Sequence, residues 1–389
     1  MPEDAYREIQ DWLVDGARSS PEPADMLVEC CNRLVAAGLP LWRVGIFVRT
    51  LDPEVFGRNF VWRPDAELVM GTADFDIVDT PEFRRSPLSL LKDTGQEVRF
   101  RLDDPASLQF PFFDDMRAEG VTDYVALPLM FLDDEMHLSS WTTRQAGGFT
   151  DVQMIALKRL MPPLTRMIEV ISLRFKAAVL LNTYVGPRAG ARILAGQIRR
   201  GHTETMHAAI WLSDLRGFTA LSDRLPPEQV VEILNLLFDC QVSPILKHGG
   251  EVLKFMGDGL LAVFPIVGDE QDVCARVLAA AIEARANVAA LEYASAENLT
   301  ERFRFGVALH VGQVLYGNIG GGNRLDFTCI GPAVNLAARL EKIAGKLHRT
   351  VVASAVFTDA CSGDWHDLGD FPIAGFAKVE RVFGLNDES

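Results

Sequence analysis

"GGEVLKFMGDGLLAVFP", residues Gly249 to Pro265, decides how the C-terminal half of the chain is read. Two short apolar runs flank Gly257-Asp258-Gly259, and Lys254 sits inside the first run. Asp-Gly between strand-like runs predicts a hairpin, because glycine takes up the positive φ that a tight turn needs. On these residues alone the hairpin is a surface turn whose aspartate serves the bend. A functional reading needs something elsewhere that calls for a carboxylate at the tip and an ammonium just before it.

"MHAAIWLSDLRGFTALSD" supplies a candidate, with Asp214 at the end of an apolar strand and Arg216-Gly217-Phe218-Thr219 leading into a helix. Such a junction exposes backbone N–H groups and suits phosphate. An aspartate beside phosphate is unfavourable unless a cation intervenes, and Mg²⁺ or Mn²⁺ would bridge the two through hard oxygen ligands. A βααββ order would pair the hairpin beside the strand ending at Asp214, bringing Asp258 to it as the second carboxylate of a two-metal site.

"RLDFTCIGPAVNLAARLEKIAG" predicts a strand over 325–330 feeding a helix that begins around Pro332. Asn335 and Arg339 then share one helix face. A neutral hydrogen-bonder one turn from a guanidinium can orient a ribose and neutralise a transferring phosphoryl group. The alternative is an ordinary wet helix face.

Together "WLSDLRGFT", "GGEVLKFMGDGLLAVF", "FRFGVALHVGQVLYGNIG" and "DFTCIGPAVNLAARLE" resemble the catalytic domain of class III nucleotidyl cyclases, in family order, over roughly residues 202–385. The resemblance implies a ferredoxin-like α+β fold and a head-to-tail homodimer with active sites at the interface. It implies two divalent cations per site, Mg²⁺ or Mn²⁺, on Asp214 and Asp258, with the carbonyl of Leu215 joining them. Arg304 of "FRFG" matches a phosphate contact, and Gly217, Phe218 and Thr219 match the substrate loop. The partner subunit contributes the base-reading pair, Lys254 and Thr328, and the catalytic pair, Asn335 and Arg339. The hairpin then serves two sites at once, through Asp258 in one and Lys254 in the other.

Adenine offers an acceptor at N1 and a donor at N6, and guanine reverses both. Lysine donates and threonine can accept, so Lys254 with Thr328 favours ATP. A mispaired buried group costs about 1–3 kcal/mol. Guanylate-making relatives typically carry glutamate and cysteine at these positions. Cys329 lies one residue away, but the Asn335 and Arg339 register selects Thr328. The expected reaction is attack of the ribose 3′-oxygen on the α-phosphorus of ATP, giving 3′,5′-cyclic AMP and pyrophosphate. A guanylate cyclase and a catalytically silent nucleotide-binding module are the alternatives, and no GGDEF-like signature points to a diguanylate cyclase. The family's triphosphate lysine is absent at Ala374, with Lys378 as the nearest substitute.

The remainder reads as an α+β chain of 389 residues, long enough for two or three domains. Hydrophobic content is 48% and charged content 23%, with a net charge of −15. That balance argues against nucleic acid or an anionic membrane as partner. The six cysteines have no CxxC spacing, which fits a reduced cytoplasmic protein without structural zinc. No window reaches the roughly 18 uninterrupted apolar residues of a membrane span.

Residues 1–150 read as helices and short strands. "ADMLVECCNRLVAAG" and "FFDDMRAEG" are helical, "WRVGIFVRTL" and "NFVWRP" are strands, and "DYVALPLMFL" with "MHLSSWTTR" form an antiparallel pair. This resembles a GAF-type sensor domain in element order and in the "ALPL…GGFT" layout alone, with an unidentified ligand or protein as its partner. Trp42 and Trp62 read as core residues. From Thr150 a helix runs to about Leu181, with Pro162 and Pro163 expected to kink or break it. It is either one amphipathic helix or half of a two-chain coiled coil. Residues 151–201 are thus a linker, with a hinge or short helix over 186–196, and the domain over 202–389 is catalytic.

Overall fold

The computed structural model describes residues 3–386, apart from 21, 292, 295–299, 302, 323 and 377–378. The chain divides into two compact units between Thr183 and Tyr184.

The N-terminal unit opens with α1 (Glu3–Val14) and α2 (Pro23–Ala36), followed by β1 (Arg43–Arg49), β2 (Gly57–Trp62) and β3 (Val69–Ala73). Two short helices, α3 (Pro81–Arg84) and α4 (Pro87–Thr94), lead to β4 (Val98–Arg101), α5 (Asp114–Ala118), β5 (Asp123–Met130), β6 (Met136–Thr143) and α6 (Asp151–Val185). The six strands form an antiparallel sheet in the order β3-β2-β1-β6-β5-β4. Alternation places Val44, Ile46 and Trp62 under α1, α2 and α6, while Tyr124 and Ala126 pack with Leu88, Leu91 and Phe113 on the other face. Trp62 is core, as its sequence context implied. Trp42 is half-buried, donates to Glu119 at 3.1 Å and lies 3.2 Å beneath Arg144.

Thr150 caps α6 reciprocally with Gln153: Thr150 Oγ1 accepts the Gln153 N–H at 3.3 Å, and Gln153 Oε1 accepts the Thr150 N–H at 2.8 Å. Contrary to expectation, Pro162 and Pro163 do not end the helix. The carbonyls they deprive of partners belong to Lys158 and Arg159, which are exposed to water. Leu157, Leu160, Leu164 and Ile168 meanwhile stay buried. Packing therefore outweighs the local penalty.

The C-terminal unit contains α7 (Pro187–Leu194), β7 (Thr203–Leu215), α8 (Phe218–Arg224), α9 (Pro227–Lys247), β8 (Glu251–Met256), β9 (Gly259–Pro265) and α10 (Glu270–Ala290). The two-residue strands β10 (Tyr293–Ala294) and β11 (Thr300–Glu301) precede β12 (Phe305–Gly321) and β13 (Arg324–Ile330). The chain ends with α11 (Pro332–Lys346), β14 (Val351–Ser354), α12 (Ala355–Ala360), β15 (Trp365–Pro372) and β16 (Val379–Leu385). The central order β12-β7-β9-β8, threaded β7-α9-β8-β9-α10-β12, is the ferredoxin-like βαββαβ arrangement. One sheet face packs on α9 and α10 through Trp211, Phe264 and Val307. The other packs on α11 and α7 through Ile210, Leu261 and Ala337. α9 is long and apolar enough, by length and composition, to cross a membrane, but Ile233, Leu237 and Ile245 bury it against the sheet.

The compact unit that contains the domain expected over 202–389 begins at Tyr184. Residues 186–196 are not a free hinge: Ala189 of α7 is fully buried with Tyr316 and Leu253, and Arg188 and Arg192 lie over the Tyr316 ring. A fragment of residues 184–389 is accordingly expected to unfold at higher urea than one of residues 202–389. The cost of uncovering Tyr316 is about 2 kcal/mol or more, and equal midpoints would show α7 to be dispensable.

His310 provides a pH test. It is buried in β12 with Nδ1 2.7 Å from Ser354 Oγ, and burial lowers its pKa to about 4. The unfolded imidazole titrates near its ordinary value of about 6.5. The unfolded chain thus binds the extra proton between these values, and stability falls as pH drops from 6.5 towards 4. Urea titrations at several pH values should show His310→Gln removing about 3 kcal/mol of this acid loss. An unchanged slope would assign the loss to other groups.

Candidate functional site

Asp214 lies at the C-terminal end of the central strand β7, where its cross-strand neighbours are Gly259 of β9 and Gly306 of β12. Both are glycines for steric reasons. A Cβ on Gly259 would stand 2.6 Å from the Ser213 carbonyl and 3.2 Å from Asp214 Oδ1. A Cβ on Gly306 would collide with the Arg216 guanidinium. The β8–β9 hairpin can therefore close fully onto the end of β7. Its loop is Gly257-Asp258, with Gly257 at φ 69° and Met256 paired to Gly259. The turn glycine is thus Gly257, while Gly259 serves the close approach.

This geometry brings Asp258 within hydrogen-bonding reach of Asp214. Burial first, then the charges of Asp258 and Glu341, raise the Asp214 carboxyl to about 6, with Arg216 opposing. A half-buried carboxyl raised by neighbouring carboxylates marks a site where negative charge is concentrated. Hard carboxylate oxygens in this arrangement suit Mg²⁺ or Mn²⁺, and Leu215 is the next residue along β7. Among the described residues no group of three or more His, Cys, Asp or Glu is arranged to hold a metal ion.

Sequence reasoning missed the group that braces this pair. The Arg216 guanidinium fills the space left by Gly306, approaches Gly345 and donates to Glu341 Oε1 at 2.7 Å. The Glu341 side chain is only 8% exposed, so the bridge is shielded and costly to break. It ties α11 to the strand end that carries Asp214. Unexplained glycines in "FRFGV" and "KIAGK" were its only trace in the sequence. Arg304 is exposed, and its carbonyl accepts the Arg216 N–H at 2.9 Å. Gly217, at φ 75°, turns the chain into α8, whose N-terminus has no side-chain cap. The N–H groups of Phe218 and Thr219 lie in that first turn.

Lys254 and Thr328 belong to a second cluster. The pairing of β8 with β9 slips between Val252 and Lys254, a bulge at Leu253. Lys254 pairs with Leu261, which shares a core face with Leu253, so the bulge turns Leu253 and Lys254 to one side of the sheet. The Lys254 ammonium reaches Asp326 Oδ2 at 3.6 Å. Asp326 is two residues before Thr328, on the same face of β13. Thr328 is 4% exposed, and its Oγ1 is buried without a hydrogen-bond partner. A hydroxyl in this position can donate to or accept from a polar ligand atom.

Asn335 and Arg339 lie on the exposed face of α11, while Ala333, Leu336, Ala337 and Leu340 bury the other. Among the described residues no hydrogen bond or ion pair joins either to Asp214 or Asp258. Ala374 lies in the turn after β15, and Lys378 is outside the described residues.

Comparison with known proteins follows the same lines. The sequence model described as "Adenylate and Guanylate cyclase catalytic domain" matches residues 202–383. An uncharacterized protein of Mycobacterium tuberculosis (strain ATCC 25618 / H37Rv) is 30% identical over 202 residues, covering 50% of this chain and 35% of that protein. Adenylate cyclase 1 of Rhizobium meliloti (strain 1021) is 29% identical over 170 residues, covering 43% of this chain and 25% of the relative. The matches thus span about a third or less of those relatives' own length. Among solved structures, the adenylyl cyclase CyaB from P. aeruginosa aligns with 48% of this chain and 97% of its own, at 25% identity and a TM-score of 0.43. The guanylyl cyclase Cya2 aligns with 48% and 96%, at 28% identity and a TM-score of 0.41. With the four motifs in order on a ferredoxin-like sheet, the C-terminal half of this chain belongs to the class III adenylate and guanylate cyclase catalytic domains.

Proposed function

We propose that the chain is a cytoplasmic homodimeric adenylate cyclase that converts ATP to 3′,5′-cyclic AMP and pyrophosphate, with its rate set by the N-terminal unit and α6. The Asp214–Asp258 pair carries this reading, because it is an arrangement that phosphate-bound divalent cations would relieve. Asp214, Asp258 and the Leu215 carbonyl would hold those cations, which supply charge neutralisation and a lower pKa for the 3′-hydroxyl. The 3′-oxygen bonds to the α-phosphorus as the bond from that phosphorus to the bridging oxygen breaks, and the hydroxyl proton passes to solvent. Asn335 orients the ribose, and Arg339 stabilises charge developing on the α-phosphoryl group. Arg304 and the N–H groups of Gly217, Phe218 and Thr219 hold the leaving pyrophosphate.

Base choice rests on Lys254 and the unpaired Thr328 hydroxyl. An ammonium has no acceptor, so it satisfies adenine N1 and cannot satisfy the N1–H of guanine. Threonine oxygen accepts from the adenine N6 amine. The surface around these residues suits a second copy of the chain. Phe255, Met256, Leu315, Leu325 and Ile330 are large, apolar and exposed on β8, β12 and β13.

The first test offers equimolar ATP and GTP to the full chain with Mg²⁺ or Mn²⁺. Cyclic AMP is expected in excess over cyclic GMP by about tenfold or more. Asp258→Ala should lower turnover by on the order of a thousandfold or more. Predominant cyclic GMP would make this a guanylate cyclase, and bound but unconverted ATP would make it a binding module.

The second test addresses the shared site. Asp258→Ala and Arg339→Ala should each be inactive alone. Random exchange of subunits leaves half the dimers mixed, each with one intact site, so the mixture should recover about a quarter of wild-type activity. No recovery after verified exchange would place both residues in a site made by one chain.

A further inference from the structure

On the α2 and α6 side of the N-terminal sheet lies a cavity of about 330 Å³, a volume typical of small-molecule sites. Its walls are mostly apolar, including Met26, Ile46, Val48, Phe60, Ile171 and Phe175. One cation interrupts them. The Arg58 guanidinium lies over the Phe175 ring at 4.5 Å, and its Nε is buried without a hydrogen-bond partner. Arg99, Arg63 and Arg49 of this unit pair with Asp123, Glu119 and Glu135, whereas Arg43, outside the cavity lining, has like Arg58 a buried guanidinium nitrogen with no hydrogen-bond partner. Among the described residues Arg58 has no such carboxylate. Ser172 also lines the cavity and is 8% exposed.

We propose that this cavity binds an amphipathic carboxylate, with its apolar body against the aliphatic and aromatic walls and its head on Arg58. A guanidinium donates two parallel hydrogen bonds to a planar carboxylate, and Ser172 can donate a third. A phosphate head would carry a further charge with no second cation to meet it, since the other charged lining residue is Glu22. Ile168, Ile171, Ser172 and Phe175 all belong to α6, so an occupant presses directly on that helix. The site gives the N-terminal unit a ligand class, and its occupancy is measurable without turnover.

The test is calorimetric titration of the full chain with decanoate below its critical micelle concentration, beside decanol. Decanoate is expected to saturate about one site per chain, with decanol at least tenfold weaker for want of the charge-assisted bonds. Arg58→Gln should weaken decanoate by about tenfold or more while leaving decanol unchanged. Ile171→Trp, which fills the void, should abolish binding of both, with an unchanged melting temperature showing that the unit remains folded. Absence of saturable decanoate binding would overturn the assignment. So would equal affinity for decanol, or decanoate binding that survives either substitution.

Discussion

The C-terminal unit is organised around two carboxylates held closer together than water-exposed charges would settle. Asp214 and Asp258 meet because Gly259 and Gly306 offer no side chains on either side of β7. The same absence admits Arg216, whose guanidinium occupies the space beside Gly306 and pairs with Glu341 of α11. A larger residue at either glycine would separate the hairpin from the strand or expel the arginine. Expelling the arginine would also break its bridge to Glu341 and release α11, the helix of Asn335 and Arg339. The like-charged pair is therefore coupled, through one shielded ion pair, to the helix that carries the polar groups suited to ribose and phosphoryl chemistry.

A second constraint acts within the hairpin. Asp258 and Lys254 are close in sequence, yet they address different surroundings: Asp258 faces Asp214, while Lys254 faces Asp326. A regular strand could not achieve this, because strict alternation would carry Lys254 to the face opposite Leu253. The bulge at Leu253 keeps both on one side. It costs a ladder position and supplies an aimed ammonium. The conformational choice at Leu253 thus decides whether the hairpin has one role or two.

Much of this was legible in the sequence. The βααββ order placed the hairpin beside the strand of Asp214, and the Asn335–Arg339 spacing placed both on one helix face. These are local periodicities that backbone geometry enforces. The missed features depend on partners distant in sequence. Arg216 and Glu341 reveal their pairing only when β7 and α11 pack. The turn glycine was misplaced by two residues because Gly257 and Gly259 look alike in sequence, although one needs positive φ and the other a missing Cβ. Pro162 and Pro163 are strong local breakers, overridden by Leu157, Leu160 and Leu164 in the core. The short helix over 187–194 gave no sign of belonging to the C-terminal unit, because Ala189 is buried by Leu253 and Tyr316, which are distant in sequence. Arg58 was equally silent, since an unpaired charge is defined by what does not surround it.

Helix geometry adds an argument for a site shared between chains. Successive residues on an α-helix are about 100° apart. Glu341 faces Arg216 and the carboxylates of its own chain. Arg339, two positions earlier, therefore projects about 200° away around α11, and Asn335, six positions earlier, about 240° away. Those two lie within about 40° of each other and both point outward. Rotating α11 to bring Arg339 onto Asp214 would pull Glu341 off Arg216 and lift Ala337 and Leu340 out of the core. In this arrangement the Asn–Arg pair and the residue that faces the carboxylates lie on different sides of α11, which supports the proposed division of the site between two chains. If the site is divided in that way, an influence that alters how two chains face each other would act on substrate orientation and charge stabilisation together.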